Sequence, residues 1–110
     1  MPKRDVGLLI EDILSAIDKI SRFIKDVEFK QFVLDEKTVD AVVRNLEIIG
    51  EAGRQLPLEF TSKHSEIPWA QIVGLRNRIV HDYVGIDLEL IWEIITHDLQ
   101  SLKPLIERLS

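Results

Sequence analysis

The sequence predicts an all-α fold, a bundle of four main helices with a short connecting helix or turn. Apolar residues recur at steps of three and four along most of the chain, as they do in amphipathic helices. No stretch shows the strict apolar–polar alternation of a β-strand, and no internal repeat is present. The chain of 110 residues has the usual size of one domain. We therefore expect a single domain over residues 1–110, built as a helical bundle.

Composition narrows the possible functions. The chain is 45% hydrophobic and 30% charged, which is the balance of a globular protein. It has no cysteine, so thiol catalysis and cysteine-based metal sites are excluded. Acidic residues interrupt the first apolar stretch, so no signal peptide or membrane span is expected, and the protein should be cytoplasmic. The net charge of −5 argues against a broad surface for nucleic-acid phosphates, so any contact with RNA should be local.

The first half of the chain contains two long helices. Helix one is predicted from Val6 to Ile24 by an unbroken apolar stripe. Residues 26–34 lack a sustained period and are interpreted as a short connecting turn or helix. Helix two should begin after Asp35, whose carboxylate can cap it, and end near Leu56-Pro57. Its apolar stripe includes two glycines, which suit the close approach of another helix: Gly50 and Gly53.

A third helix follows a polar loop or single turn between Leu58 and Ile67. Pro68 favours a first helical turn, so helix three should begin there. It should continue to Tyr83 or Val84, where Gly85 can adopt a left-handed conformation and stop it.

The fourth helix should be capped by Asp87 and span about Leu88 to Leu102. Beyond it, Lys103-Pro104 should kink or restart the helix, because proline lacks a backbone N–H. The apolar pattern continues to Leu109, so this segment completes the fourth side of the bundle.

Helix three carries the candidate functional residues. At 100° per residue, Arg76 falls in the middle of the apolar half of this helix, whereas Arg78 and Asp82 point away from it. A permanently charged guanidinium in that position requires a partner or a function. The flank of the same stripe carries two small residues, Ala70 and Gly74, and then two polar ones, Asn77 and His81. Such a flank suits a helix–helix interface that opens into a polar groove.

Arg76 and His81 would lie about 140° apart on one helix, so a single copy aims them in different directions. A homodimer with both motif helices near its two-fold axis would bring them together. The structural alternative is that Arg76 forms a buried ion pair with Glu47 or Glu51 and that His81 caps carbonyl groups at the helix end. Glu47 and Glu51 are otherwise interpreted as solvated or ion-paired.

The two remaining histidines, His64 and His97, are assigned no catalytic role. His64 is predicted to lie in a polar loop, and His97 has no second ligand at a spacing typical of metal sites. No metal and no cofactor are expected.

The segment Arg76-Asn77-Arg78-Ile79-Val80-His81-Asp82-Tyr83 resembles the Arg-x4-His-x-Tyr motif of HepT toxins, which belong to the HEPN superfamily and its Arg-polar-x3–5-His signature. Its surroundings are also similar to that family, and the resemblance extends in order over nearly the whole chain. The similar segments are Ala41 to Ala52 upstream, Ile67-Pro68-Trp69 at the start of the motif helix, and Gly85-Ile86-Asp87 and Trp92 after it.

This resemblance implies a homodimeric HEPN bundle in which the motif helices of both subunits form a ribonuclease cleft. It implies the toxin of a type VII toxin–antitoxin system, with Arg76 and His81 as catalytic residues. Asn77 would orient the phosphate. The implied partners are a second copy of the chain, an RNA substrate such as tRNA or mRNA, and an MntA-like nucleotidyltransferase antitoxin that attaches AMP to Tyr83.

The chemistry needs no metal, because RNA carries its own nucleophile in the 2′-hydroxyl. His81 can exchange protons near neutral pH, and Arg76 can neutralise charge on the attacked phosphate. One alternative is a non-catalytic nucleotide-binding or scaffold subunit of a nucleotidyltransferase complex. Another is a plain helical dimerisation module, in which Arg76 and His81 matter only for stability.

Overall fold

The computed structural model describes residues 4–81 and 85–109, with the backbone alone at Arg76, Val80, His81 and Ile86. The described helices are α1 (Val6–Phe23), α2 (Phe29–Leu34), α3 (Glu36–Gln55), α4 (Leu58–Lys63), α5 (Trp69–Val73), α6 (Leu75–Ile79), α7 (Leu88–Glu93) and α8 (Leu99–Glu107), with a π-helical segment at Ile94–Asp98 between the last two. Two antiparallel two-residue strands, β1 (Val80–His81) and β2 (Gly85–Ile86), interrupt them. The all-α prediction is confirmed.

The pairing of α1 with α3 forms the main body of the bundle, and the sequence predicted both helices closely. The Asp5 carboxylate accepts a hydrogen bond from the Gly7 amide at 3.2 Å and caps α1. The Asp35 carboxylate caps α3 by accepting hydrogen bonds from the Thr38 hydroxyl at 2.6 Å and the Thr38 amide at 3.2 Å, and these two bonds lower the pKa of Asp35. The core between the helices is aliphatic and fully buried, and from α1 it includes Leu9, Ile10, Ile13, Ile17 and Ile20.

The connecting segment is the short helix α2, which a capping box starts at Glu28. Its Phe32 is fully buried and lies against Trp92 of α7, with ring centroids 5.1 Å apart. Phe29 contacts the same indole at 5.9 Å. These tilted aromatic pairs pack α7 against α2.

The glycines of α3 allow α5 to cross it at close range, as the sequence predicted. A Cβ atom added at Gly53 would lie 2.9 Å from Cγ2 of Ile72, and one added at Gly50 would lie 3.3 Å from the Ile72 carbonyl oxygen. Side chains at these positions would push α5 outwards. The two glycines therefore set the distance between α3 and the segment that carries the candidate site.

The prediction of one continuous helix from Pro68 to Tyr83 or Val84 is wrong. The segment divides at Gly74 into α5 and α6, and α6 ends at Ile79. The Ile79 carbonyl accepts a hydrogen bond from the Asp87 amide at 3.1 Å. In a continuing helix the same carbonyl would accept from an amide four residues later, so this bond replaces the helical one. His81 then pairs with Gly85 in the β1–β2 ladder.

Gly85 has the expected left-handed conformation, with φ of 77°, but it lies in this strand pair and does not end a helix.

The fourth helical segment begins as predicted, because the Asp87 carboxylate accepts from the Leu90 amide at 3.0 Å. The sequence predicted a kink or a restart at Lys103-Pro104; the helix does not restart there, since α8 continues through Pro104 to Glu107. The departure from α-helical geometry lies instead at Ile94–Asp98, where the Leu99 amide bonds the Ile94 carbonyl five residues earlier. The Thr96 hydroxyl donates to the Trp92 carbonyl at 2.6 Å in the same turn.

None of the helices in the described ranges is long and apolar enough to cross a membrane.

Candidate functional site

The candidate site begins with α6, a single short helix held against α3. Its Leu75 and Ile79 are buried in the core, and this fixes the direction in which the rest of the helix faces. Asn77 lies between them in the sequence and is exposed. Arg76 precedes Asn77 on α6, and His81 lies beyond the helix in β1. The backbone therefore places the three motif residues within one helix and the strand that follows it.

A groove of about 490 Å³ opens beside Asn77, between α6 and the exposed face of α3. We call it the α3–α6 groove. Asn77 and Val73 line one side, and the other side is lined by α3 residues: Arg44, Glu47, Ile48, Gly50, Glu51 and Arg54. The sequence predicted a polar groove at Asn77, but the opposite wall of this groove belongs to the same chain.

Charge is arranged unevenly in the α3–α6 groove. Arg54 donates two hydrogen bonds to Glu51, at 2.6 and 3.1 Å, and Gln55 donates a third at 3.3 Å. The Arg54 and Gln55 hydrogen bonds lower the pKa of Glu51, and the bond to Glu51 raises the pKa of Arg54. Arg44 is exposed and has no carboxylate within 4 Å among residues 4–81 and 85–109. The groove therefore holds one neutralised arginine and one whose charge faces solvent.

These contacts bear on the alternative roles considered for Arg76. Glu51, one of its two possible structural partners, is an exposed carboxylate bound by Arg54, as an ion-paired role predicts. Glu47 is also exposed. An ion pair between Arg76 and Glu47 stays a prediction, because the described part of Arg76 is its backbone.

Tyr83, the expected site of modification, lies outside the described residues, so its role stays a prediction. The helical angle of about 140° between Arg76 and His81 does not apply, because α6 ends at Ile79 and His81 lies in β1. Arg78, expected to face solvent, is half-exposed and lies 3.5 Å from Asp98.

Arg78 and Asp98 lie at a second cavity, of about 260 Å³, with α5 and α6 on one side and the π-helical segment and α8 on the other. Its lining is mainly aliphatic, with Ile72 and Leu75 on one side and Leu99 and Leu102 on the other.

His64 and His97 each contact side chains close to them in the sequence. The His64 ring packs on Phe60 with centroids 4.7 Å apart, and its Nδ1 lies 3.8 Å from Glu66. His97 is exposed, 3.5 Å from Glu93. Within the described ranges, no three histidine, aspartate or glutamate side chains are grouped closely enough to hold a metal ion.

Sequence reasoning did not identify Arg44 as part of the site. Arg44 and Asn77 are far apart in the chain, and only the packing of α6 on α3 makes them neighbours. The available signal was the segment Ala41 to Ala52, which was singled out for resemblance but not for chemistry. The presence of glycine at position 50 of that segment has a structural reason, since α5 approaches α3 there.

A helical bundle with a polar groove beside a short helix defines an all-α globular protein with a candidate binding groove. The model of the family described as "Ribonuclease HepT-like" matches residues 13–109. The chain belongs to this family.

Curated relatives are similar over almost their full length. A protein of Thermococcus cleftensis named "Probable ribonuclease HepT" is 41% identical over 107 residues, which cover 97% of each chain. "Putative RNase MJ1380" of Methanocaldococcus jannaschii is 40% identical over 97% of this chain and 98% of its own. "Putative RNase TTE0752" of Caldanaerobacter subterraneus is 38% identical over 91% and 89%. No solved structure matches the chain significantly.

Proposed function

We propose that the chain is a metal-independent endoribonuclease and the toxin of a type VII toxin–antitoxin pair. The observation that carries this proposal is that Arg76 and Asn77 lie on α6 and His81 in β1 directly after it, with Asn77 in the lining of the α3–α6 groove. Membership of a ribonuclease family supports it. The relatives named "Probable ribonuclease HepT" and "Putative RNase MJ1380" point to the same activity.

In the proposed reaction, the ribose 2′-hydroxyl attacks the adjacent phosphorus, and the bond to the 5′-oxygen of the next nucleotide breaks. His81 takes the proton from the attacking hydroxyl and gives it to the leaving 5′-oxygen, because imidazole exchanges protons near neutral pH. Arg76 stabilises the charge that develops on the phosphate oxygens. Asn77 orients the phosphate by donating a hydrogen bond from its amide. The products are a 2′,3′-cyclic phosphate and a 5′-hydroxyl.

The proposed active form is a homodimer with two α6 segments near its two-fold axis. A symmetric pair would allow Arg76 of one protomer to act with His81 of the other, which does not require both to face the same way in one copy. The small residues Ala70 and Gly74 precede α6 and would allow two such segments to approach closely.

This mechanism predicts that the protein cleaves RNA but not DNA of the same sequence. A DNA strand lacks the 2′-hydroxyl nucleophile, and one deoxyribose at the cleaved position should also abolish cleavage there. The measurement is electrophoresis of labelled tRNA, mRNA and matched DNA after incubation with purified protein in excess chelator. Light scattering on the same sample should give twice the mass of 12.7 kDa. Cleavage of the DNA strand, or activity restored only by added metal, would contradict the mechanism.

The same assay separates the alternative function. A non-catalytic nucleotide-binding or scaffold subunit would bind RNA or nucleotides without cutting them. Unmodified protein, purified without its partner, must be used. Failure to cleave any RNA in that state would favour the scaffold.

We also propose that a partner nucleotidyltransferase silences the toxin at Tyr83. The tyrosine hydroxyl would attack the α-phosphorus of ATP, forming a phosphodiester to AMP and releasing pyrophosphate. The added phosphate and nucleoside bring negative charge and bulk two residues from His81. Both effects would hinder the binding of an RNA phosphate at the site.

Co-expression with the cognate nucleotidyltransferase should add one or more AMP masses to the peptide that contains Tyr83. The modified protein should lose its ribonuclease activity. Mass spectrometry and the cleavage assay measure the two effects, with Tyr83→Phe as the matched variant that lacks only the hydroxyl. A Tyr83→Phe protein that is still modified and silenced would place the control at another residue.

A further inference from the structure

We infer that Arg44 of α3 binds a phosphodiester of the RNA strand next to the one that is cleaved, so that the α3–α6 groove is a substrate subsite. This inference rests on the proposed ribonuclease function and deepens it. It adds a binding residue from a helix that the Arg-x4-His motif does not include.

The geometry of α3 supports this assignment. Arg44, Glu47, Glu51 and Arg54 are three or four residues apart, so they form one row along the exposed face of the helix. Asn77 of α6 lies across the groove from that row. An RNA strand held at Asn77 would therefore meet the α3 row within the same groove.

The charges in the row identify Arg44 as the phosphate contact. Arg54 is paired with Glu51 through its Nε and Nη2 atoms, so the carboxylate offsets its charge and weakens its attraction for a phosphate. Arg44 is exposed and unpaired within the described part of the chain, and its guanidinium can donate two parallel hydrogen bonds to phosphate oxygens. It can bind without giving up an existing ion pair.

The carboxylates limit the subsite to about one phosphate. Glu47 and Glu51 balance Arg44 and Arg54, so the row has no net charge. Repulsion from Glu47 and Glu51 disfavours a second phosphate further along α3. Aliphatic atoms of Ile48 and Val73 in the lining provide surface for a ribose or base beside the phosphate. Such a local contact also agrees with a chain whose net charge is −5.

The test is equilibrium binding of a fluorescein-labelled single-stranded RNA to the full-length protein in a His81→Ala background, which prevents cleavage under the proposed mechanism. Adding Arg44→Ala should weaken binding about tenfold at low salt, since one charge-assisted contact to phosphate is lost. It should also reduce the slope of log affinity against log salt concentration by about 0.7, the value for one phosphate of a single strand. Arg44→Lys should recover part of the loss.

Two further variants separate a phosphate contact from a general charge effect. Arg22→Ala removes the same charge from an exposed position on α1 outside the groove, and it should leave the affinity and the salt slope nearly unchanged. Glu51→Gln should tighten RNA binding, because it releases Arg54 into the groove. An effect of Arg44→Ala no larger than that of Arg22→Ala would overturn the inference, as would failure of the His81→Ala protein to bind RNA.

The outcomes for this inference and for the proposed function can be distinguished. Wild-type protein that cleaves RNA, combined with binding that ignores Arg44, would leave the function standing and remove the subsite. Arg44-dependent RNA binding without any cleavage would retain the subsite and remove the ribonuclease. Thermal melts of each variant show whether it is folded, and the exposed location of Arg44 gives no reason for a large change in melting temperature.

Discussion

Replacing His81 with alanine should lower the rate of RNA cleavage at least a hundredfold. General acid–base catalysis by a positioned side chain commonly contributes factors of about 10² to 10⁴, and alanine cannot transfer a proton. The measurement is single-turnover cleavage of a labelled RNA at saturating protein. Arg76→Ala should reduce the rate by a similar factor, because the developing phosphate charge loses its counterion.

The matched control for these substitutions is Arg78→Ala. It removes one positive charge two residues from Arg76, and its only described partner is Asp98 at 3.5 Å. A half-exposed ion pair at that distance contributes little, so the rate and the melting temperature should change only slightly. Folded His81→Ala protein that cleaves RNA at the wild-type rate would show that the catalytic assignment is wrong.

Replacing Gly53 with leucine should destabilise the fold by about 3 kcal/mol, near the upper end for overpacking a core. Its Cβ alone would lie 2.9 Å from Ile72, and the rest of the side chain would force α5 away from α3. For a domain of this size, the melting temperature should fall by about 10 °C or more. Circular dichroism melts provide the measurement.

Gly7→Leu is the control for this prediction. An added Cβ at Gly7 meets nothing closer than the Asp5 carboxylate at 3.8 Å, so the first turn of α1 has room for a side chain. Its melting temperature should be unchanged or slightly higher, since glycine is a poor helix former. Equal losses in the two variants would show that the α3–α5 contact is not the cause.

The sequence was most informative where local signals decide the structure. Helices α1 and α3 follow an apolar period with an aspartate cap at the start, so their bounds could be predicted to within one or two residues. Asp87 likewise marks the start of α7. The closeness of α5 to α3 could be anticipated from two glycines, because only the loss of side chains permits it.

The sequence was less informative where distant residues decide the structure. The end of α6 depends on the hydrogen bond between Ile79 and Asp87, and the helical period of the intervening residues gives no sign of it. The π-helical turn at Ile94–Asp98 likewise has no clear signal in the apolar pattern. Arg44 joins Asn77 only after α3 and α6 pack together, so a pattern search along the chain treats them separately.

The end of α6 also changes what the spacing between Arg76 and His81 means for the position of the histidine. On a continuous helix, each residue inserted between the arginine and the histidine would rotate the histidine by about 100° around the axis. Here the helix ends at Ile79, and the backbone of His81 is fixed by its pairing with Gly85. The backbone position of His81 is therefore set by a pairing with a later residue of the chain, and not by the number of residues that separate it from Arg76 along a helix.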